Sequence, residues 1–290
     1  EQGMKVAVKV DAWPRGEVCP HGIITDVLGT PGANDTEMHA ILAEFNLPYR
    51  FDQSLEDAAD SISEAIGPAE LKGRKDFRKT LTFTIDPADA KDFDDALSFR
   101  RLENGNFEVG VHIADVTHYV RPGDIVDEEA RKRGTSVYLV DRVIPMLPHA
   151  LSNGICSLNQ GEKRLALSCI MTINPKGEVI DHTIAETVIC VDRRMSYTQV
   201  KNILEAYHGL TEKSVENASE ASAENAEKEK LCVQQEALLK EYEALVPMFV
   251  RMETLAGILR KKRMKRGSID FDFPETKVIL DAEGNPIDIR

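Results

Sequence analysis

An acidic stretch between two strand-like runs constrains this chain more than any other feature. A β-rich run, Thr80–Ile85, leads into it, and a second run, Ala96–Arg101, leads out. Between them, five aspartates fall within ten residues: Asp86, Asp89, Asp92, Asp94 and Asp95. Carboxylates crowded in this way repel one another, so a cation is needed to offset the repulsion. Mg²⁺ prefers such oxygen ligands, and two ions about 3.5–4 Å apart can bind the attacking and the leaving oxygen of a phosphodiester. The stretch therefore predicts a Mg²⁺-dependent centre for phosphoryl transfer or phosphodiester hydrolysis.

Two alternative interpretations of the stretch do not need this chemistry. A calcium-binding EF-hand requires ligands at alternate positions, a glycine at the sixth and a glutamate at the twelfth, and the stretch lacks this pattern. A solvated acidic loop without a function is the stronger alternative. It leaves Phe93 unexplained, because an apolar side chain among the acids indicates a loop that folds down onto a core.

The first 30 residues alternate polar and apolar side chains as strands do, over Met4–Val10 and again over Gly22–Gly29. Two strands alone are not stable in water. They either pack on the rest of the chain or are the last strands of a β-barrel that begins outside it. The lack of a Met at position 1, and an end just after a strand, lead us to expect a fragment of a longer protein.

A change of pattern near residues 72–76 predicts a domain boundary. We expect residues 1–34 to be the end of one domain and residues 35–76 to be a helical linker, with helices at Asp35–Glu44 and Glu56–Leu71. Residues 77–290 then form the N-terminal part of a larger domain. Strands, short turns and helices alternate there in the manner of an α+β (mixed α/β) fold with a mostly antiparallel sheet.

Several elements within residues 77–290 are specific enough to be tested. The pattern predicts a helix at Val126–Arg133 that ends at Gly134, a strand at Ser136–Val140, a long helix at Glu229–Lys265 and a strand at Ile269–Phe273. Residues 208–229 are rich in Glu, Ala, Ser and Asn, so we expect a mobile insertion or a frayed helix there.

Charge and cysteine content say less about function. The net charge of −13 argues against a nucleic-acid partner, but Glu205–Glu243 contains ten Glu and four Lys and so carries −6 of it. The five cysteines are scattered and form no CxxC pair, which is typical of reduced core cysteines in a cytoplasmic protein rather than of a zinc site or disulfide framework. No apolar run approaches the length of a membrane span.

The string TIDPADAKDFDDAL, from Thr84 to Leu97, resembles the signature of the RNB family of ribonucleases, the ribonuclease II and ribonuclease R type. Further matches follow in the family's order: VHIADVTHYV from Val111, GTSVY from Gly134, IPMLP from Ile144 and LSNGICSLN from Leu151. The resemblance covers about residues 77–290. The strands before it look like the end of the family's cold-shock (OB-type) domain.

The resemblance implies a hydrolytic exoribonuclease that degrades single-stranded RNA from 3′ to 5′ and releases nucleoside 5′-monophosphates. The catalytic and metal-binding residues would be Asp86, Asp92, Asp94 and Asp95, with Mg²⁺ as the cofactor. By this reading Asp86 and Asp95 bind the better-held ion, Asp94 supports the second ion or the attacking water, and Asp92 helps to hold the arrangement. Asp89 is either a supporting partner or a surface acid. The protein would be a cytoplasmic monomer.

Two aromatic residues match the family's RNA-binding positions. Tyr138 matches the residue that stacks near the 3′-terminal base, and Phe271 matches the one that clamps the RNA end from the other side. Stacking suits an enzyme that ignores base sequence, because every base has a π-face.

The remaining candidates are weaker. His112, His118 and His149 are interpreted as structural, and Ser152 and Ser157 lack a base at nucleophile spacing. The run Arg260–Arg266 has six basic residues in seven, which favours equally a phosphate contact and a stabilising charge at a helix C-terminus.

Two parts of the family pattern have no counterpart in this sequence: a later arginine-bearing segment that stabilises the leaving phosphate, and the S1 RNA-binding domain. We therefore expect weak or no activity from these 290 residues alone. Two rival functions stay open, a non-catalytic RNA-binding relative of the same fold and a Mg²⁺-dependent phosphodiesterase for small substrates.

Overall fold

The computed structural model describes residues 2–216, 225–271, 273, 276–282 and 284–290. Strands and helices alternate along these residues. The strands are β1 (Lys5–Ala12), β2 (His21–Gly29), β3 (Lys75–Asp76), β4 (Thr82–Asp86), β5 (Asp95–Arg101), β6 (Phe107–Ala114), β7 (Val137–Tyr138), β8 (Val143–Ile144), β9 (Lys163–Ile173), β10 (Val179–Cys190), β11 (Arg193–Ser196), β12 (Val278–Leu280) and β13 (Pro286–Ile289). The helices are α1 (Asn34–Glu44), α2 (Gln53–Asp60), α3 (Pro68–Leu71), α4 (Val116–Tyr119), α5 (Ile125–Arg133), α6 (Tyr197–Glu216), α7 (Asn225–Glu241) and α8 (Val246–Lys265).

The chain forms two compact units, each built from more than one stretch of sequence. One comprises Glu1–Ile62, Val120–His149 and Asp272–Arg290, and the other comprises Ser63–Tyr119 and Ala150–Phe271. We call them the discontinuous unit and the sheet unit. The division into residues 1–34, 35–76 and 77–290 stays a prediction.

The discontinuous unit contains three strand pairs and three helices. The strands pair antiparallel as β1–β2, β7–β8 and β12–β13. Helix α1 is joined to β1 by an ion pair between Lys5 and Glu37 at 2.5 Å. The Arg133 side chain, only 3% exposed, donates to the carbonyls of Pro48 and Arg50, both at 2.7 Å. It thereby fixes the end of α5 to the segment before α2.

A seven-stranded sheet forms the centre of the sheet unit, in the order β11-β4-β5-β6-β9-β10-β3. Its inner pairs are antiparallel, and only the outermost pairs, β11–β4 and β10–β3, are parallel. The largest buried cluster joins the sheet to α6 and α8. The ring of Phe83 on β4 meets that of Phe249 on α8 edge to face at 5.2 Å. The α+β prediction is confirmed.

Several local predictions are also confirmed. The helix predicted at Asp35–Glu44 is α1, and the one at Val126–Arg133 is α5. Asp124 begins α5 because its side chain accepts from the N–H of Asp127, and Gly134 ends it at φ 72°, a left-handed conformation that glycine adopts without a Cβ penalty.

Three predicted elements are wrong in length or number. The helix predicted at Glu229–Lys265 is interrupted after Glu241, and α8 begins at Val246. Pro247 explains the break, because a residue without an N–H fits a first helical turn but not an interior. Likewise the helix at Glu56–Leu71 is two helices, α2 and α3, the second begun by Pro68. The strand at Ser136–Val140 shrinks to the two residues of β7 because the chain already turns at Leu139, whose N–H donates to the Arg142 carbonyl.

The strand predicted at Ile269–Phe273 is absent from its described residues, 269–271 and 273. Asp270 instead accepts from Arg260 at 2.6 Å and Arg263 at 3.1 Å, which ties the segment back to α8. In the predicted insertion, residues 208–216 and 225–229 are helical, and residues 217–224 lie outside the described part of the chain.

Candidate active site

The acidic loop, residues 86–95, connects two neighbouring strands of the central sheet. Asp86 is the last residue of β4 and Asp95 is the first residue of β5. These strands pair only at Thr82–Ser98 and Phe83–Leu97, so they separate before the loop begins. Two of the predicted catalytic carboxylates are therefore carried by the ends of adjacent strands. The backbone of Asp86 is held there by pairing with β11, and that of Asp95 by pairing with β6.

Phe93 anchors the second half of the acidic loop. Its side chain is 5% exposed and belongs to a buried cluster with Ala96 and Leu158. The N–H of Phe93 donates to Ser157 Oγ at 3.0 Å, and its carbonyl accepts from the N–H of Leu158 at 2.8 Å. The carbonyl of the next residue, Asp94, accepts from the N–H of Ala114 at 2.9 Å. The loop is folded down onto the core, as Phe93 indicated.

Arg194 holds the first half of the acidic loop. It lies on β11, whose residue Ser196 is in register with Asp86. Its Nη2 donates to the carbonyls of Ala88 at 3.0 Å and Ala90 at 2.9 Å. The guanidinium also lies over the Phe93 ring, 4.5 Å from its centroid.

The carboxyl of Asp86 is the most constrained of the set. Burial raises its pKa, and the charges of Asp95 and Asp92 raise it further, while the Thr84 hydroxyl and Arg194 lower it. Among the described residues, however, Asp86 Oδ2 and Thr84 Oγ1 are both buried without a hydrogen-bond partner. Burial is therefore the main cause of the raised pKa of Asp86. An unpaired carboxylate oxygen at this depth is energetically costly and indicates a site for a cation.

Asp94 shows the mutual repulsion of the acidic loop. Desolvation raises its pKa first, followed by the charges of Asp92 and Asp95. Its solvent-accessible surface places it among exposed residues, as are Asp89 and Asp95, while Asp92 is half-buried. Asp94 is thus accessible to water while its carboxyl is partly desolvated by the surrounding protein.

The donor set is compatible with Mg²⁺ in chemistry, since it consists of carboxylate oxygens and includes the unpaired Asp86 Oδ2. Within the described ranges, however, no three acidic, histidine or cysteine side chains are already gathered tightly enough to bind a metal ion. The assignment of Asp86, Asp92, Asp94 and Asp95 as catalytic and metal-binding residues stays a prediction.

Histidine 112 lies in a polar layer within the sheet. It is fully buried, and its ring nitrogens contact Ser98 Oγ at 3.0 Å and Ser168 Oγ at 2.7 Å. Burial lowers the pKa of His112 to about 4. A neutral, doubly hydrogen-bonded imidazole fits the structural interpretation. Nearby, Asp115 accepts from the buried Arg74 at 2.6 Å, so it is part of the scaffold.

The two predicted stacking residues are both exposed. Tyr138, on β7 of the discontinuous unit, is 67% exposed, and Phe271, in the sheet unit, is 71% exposed. Each therefore presents a ring to solvent, as a base-stacking residue requires. Their RNA-binding role stays a prediction.

Half of the basic residues at the end of α8 already have partners. Arg260 and Arg263 bind Asp270, and Lys262 Nζ donates to the Gly177 carbonyl at 3.0 Å. These contacts favour a structural role for that part of the run.

Sequence reasoning missed two residues that shape the acidic loop. Ser157, which it dismissed as a nucleophile, holds the Phe93 amide, and its place in the LSNGICSLN string was an available signal. Arg194 had no such signal, because the contacts that matter join residues 104 and 106 positions apart in sequence.

Comparison with known proteins decides the family. Residues 74–290 match the model of the RNB domain. The chain belongs to the RNB domain family. Residues 1–52 match the cold shock domain model, which fits the OB-type expectation for the first strands. Among the described residues, each helix is too short or too polar to cross a lipid bilayer.

The relatives are considerably longer than this chain. Ribonuclease R 1 of Lactococcus lactis is 39% identical over 287 residues, which cover 98% of this chain and 32% of that protein. The human exosome complex exonuclease RRP44 is 32% identical over 291 residues, and the match covers 27% of it. The chain thus spans about a third of the length of such curated relatives.

Solved structures share the fold. Mycoplasma genitalium RNase R in complex with double-stranded RNA matches 99% of this chain and 46% of its own, with TM-score 0.77 and 26% identity. Yeast Ssd1, described as a pseudonuclease, matches 68% of this chain and 25% of its own, with TM-score 0.56 and 24% identity. The likeness to Ssd1 concerns the fold alone.

Proposed function

We propose that the protein is a hydrolytic exoribonuclease that degrades single-stranded RNA from the 3′ end to nucleoside 5′-monophosphates. The observation that carries the proposal is the acidic loop. It stands within the RNB match, it is folded onto the core through Phe93, and Asp86 keeps a buried carboxylate oxygen without a partner among the described residues. Relatives named ribonuclease R support the same activity.

The acidic loop would bind Mg²⁺. We assign Asp86 and Asp95 to the better-held ion, Asp94 to a second ion or the attacking water, and Asp92 to the support of this arrangement. Ions held by these carboxylates would supply a lowered pKa to the attacking water and charge stabilisation to the leaving oxygen.

The chain's own contribution is position. Asp86 and Asp95 are fixed by the strands that carry them, and the Asp94 backbone is tied to Ala114. Such anchoring is what a catalytic arrangement needs, because its groups must stay within about 0.5 Å of productive geometry. Burial first, and the charges of neighbouring aspartates second, raise the pKa values of Asp86 and Asp94, and bound cations would offset both costs.

Tyr138 and Phe271 would stack on bases near the 3′ end of the RNA. Their exposed rings supply affinity without base preference. We further propose a cytoplasmic monomer, with the domains divided at residues 34 and 76.

The direct test is to incubate the full protein with Mg²⁺ and 5′-labelled poly(A). The proposal requires stepwise shortening from the 3′ end, release of 5′-AMP, and loss of both on chelation. Internal cuts would contradict it, and so would turnover of a cyclic dinucleotide in preference to RNA, which would favour the phosphodiesterase alternative.

A non-catalytic RNA-binding protein is the second candidate. The fold is compatible with it, since yeast Ssd1, described as a pseudonuclease, shares the fold. A pure binder would bind labelled poly(A) without shortening it, and Asp94→Asn would change neither property.

A further inference from the structure

Arg194 makes three contacts to the acidic loop with one side chain. Its Nη2 donates to the carbonyls of Ala88 and Ala90, and its guanidinium plane lies over Phe93. The position of Arg194 is itself fixed, because β11 pairs with β4 and the Arg194 N–H donates to Gln160 Oε1 at 2.8 Å.

The two halves of the acidic loop differ in how the rest of the sheet unit holds them. Phe93 and Asp94, in the second half, are held by Ser157, Leu158 and Ala114. The first half begins with Pro87, which has no N–H to donate, and its own backbone contributes one turn bond, from the Ala90 N–H to the Pro87 carbonyl at 3.1 Å. Arg194 joins this half to the ring of Phe93, and Ala90 packs against the same buried cluster.

The contacts require an arginine. A planar guanidinium can donate along its edge while its face stacks on a ring, whereas a lysine ammonium is a point charge on a flexible stem. The charge of Arg194 also acts directly on Asp86, so a lysine would preserve the charge and lose the shape.

We propose that Arg194 is a positioning residue for the acidic loop. By binding the carbonyls of Ala88 and Ala90 while its guanidinium lies over Phe93, it fixes the chain between Asp86 and Asp92 and thereby sets how far apart those two carboxylates lie. The consequence for catalysis rests on the proposed nuclease function, while the effect on the loop does not.

The structural part is tested by amide hydrogen exchange on the full protein without RNA. Arg194→Gln should speed exchange of the Ala90 amide, which donates to the Pro87 carbonyl, by about tenfold or more, since local opening governs the exchange of a hydrogen-bonded amide, and leave β6 and β9 unchanged. Arg193→Gln is the matched control, because it removes the same charge from the adjacent residue, whose side chain points to the opposite face of the strand. Equal exchange in the two variants would overturn the proposal.

The catalytic part is tested by steady-state hydrolysis of poly(A). Arg194→Gln should lower kcat by on the order of 10²-fold, as a misplacement of about 1 Å can do, with KM changed less than about threefold. Arg194→Lys should recover only a small part of kcat, whereas full recovery would show that charge alone matters and would overturn the proposal. If wild-type protein does not hydrolyse RNA, the proposed function fails, and the exchange experiment still decides the role of Arg194.

Discussion

The acidic loop and the Tyr138 hairpin, residues 137–144, present the side chains proposed for function in opposite ways. The acidic loop is fixed by the buried ring of Phe93. In addition, the backbone of each half is hydrogen-bonded to a side chain outside the loop, Arg194 for the first half and Ser157 for the second. The Tyr138 hairpin has two paired residues on each strand and exposes Tyr138 by 67%. The difference follows the chemistry proposed for each. Carboxylates that share cations need fixed separations, whereas a stacking ring needs only an accessible face.

The supports of the two regions also differ in strength. Arg142 joins the Tyr138 hairpin to α1 through Asp35, whose side chain is 66% exposed, and exposed ion pairs contribute about 0–1 kcal/mol. Burying a phenylalanine contributes several times more, about 3–5 kcal/mol by truncation. The acidic loop should therefore be rigid and the Tyr138 hairpin adaptable.

The largest expected effect is on catalysis at the acidic loop. Asp94→Asn should reduce the rate of poly(A) hydrolysis by about 10³-fold. One carboxylate charge about 4 Å from a bound cation contributes about 4 kcal/mol of Coulomb energy at an intermediate dielectric, and losing that much transition-state stabilisation slows the reaction by this factor. RNA affinity, measured by filter binding, should stay within about twofold. Retained hydrolysis in Asp94→Asn would exclude this loop as the reaction centre.

Truncation should separate the two regions in stability. Phe93→Ala should lower the free energy of unfolding by about 3–5 kcal/mol, and Tyr138→Ala by less than about 0.5 kcal/mol, as is usual for surface changes. Urea unfolding of both variants measures this. Similar losses in the two would remove the basis of the comparison.

Acid should affect the sheet that carries the acidic loop and the Tyr138 hairpin in different pH windows. The pKa of His112 is lowered from 6.5 to about 4 by burial. As the pH falls, His112 is therefore protonated at a higher pH in the unfolded state than in the folded state. Its contribution to stability is complete above pH 6.5 and falls by about 2–3 kcal/mol as the pH drops towards 4. Arg142, beside the Tyr138 hairpin, lowers the pKa of Asp141 below 3.8, so that contribution is lost only at still lower pH.

The His112 contribution is measured by comparing urea unfolding of wild-type protein and His112→Gln at pH 7 and pH 4.5. The variant should lose less stability than the wild type between these two values. Equal losses would show that His112 is not buried in its neutral form.

The smallest effect is expected from Tyr138 in RNA binding. Tyr138→Ala should weaken binding of a short oligoadenylate by about 1–3 kcal/mol, the contribution of one base–aromatic stack, and Tyr138→Phe should bind normally. Loss of affinity in the Phe variant would indicate that the hydroxyl, rather than the ring, makes the contact.

Local patterns predicted most of the fold, because they determine local structure. The pattern of Asp35–Glu44 predicted α1, and the glycine at position 134 predicted the end of α5. The wrong predictions arise in two ways. A single residue interrupts an otherwise continuous pattern, or a residue binds partners that are distant in sequence. Pro247 interrupts a helix that the apolar periodicity continues through, and Asp270 turns a predicted strand towards the arginines of α8.

In the candidate site too, residues that are adjacent in sequence could be predicted, and residues that are distant in sequence were missed. The aspartates stand together in sequence, so their crowding by itself predicted a cation site. Arg194 and Ser157 act on the acidic loop from 104 and 64 positions away. The LSNGICSLN string could have pointed to Ser157, whereas no local pattern could identify Arg194. Only the arrangement of β11 beside β4 brings Arg194 to Ala88 and Ala90.

The proposed chemistry depends on the carboxylates of the acidic loop converging on shared cations. A crystal structure of Asp94→Asn with Mn²⁺ and a short oligoadenylate is the decisive test. Mn²⁺ prefers the same oxygen ligands as Mg²⁺, and the slow hydrolysis expected of the variant should leave the RNA uncleaved in the crystal. We expect an anomalous peak that Asp86 and Asp95 both coordinate, next to the 3′-terminal phosphate. Ordered RNA with no ion there, and with these carboxylates diverging into solvent, would contradict the proposal.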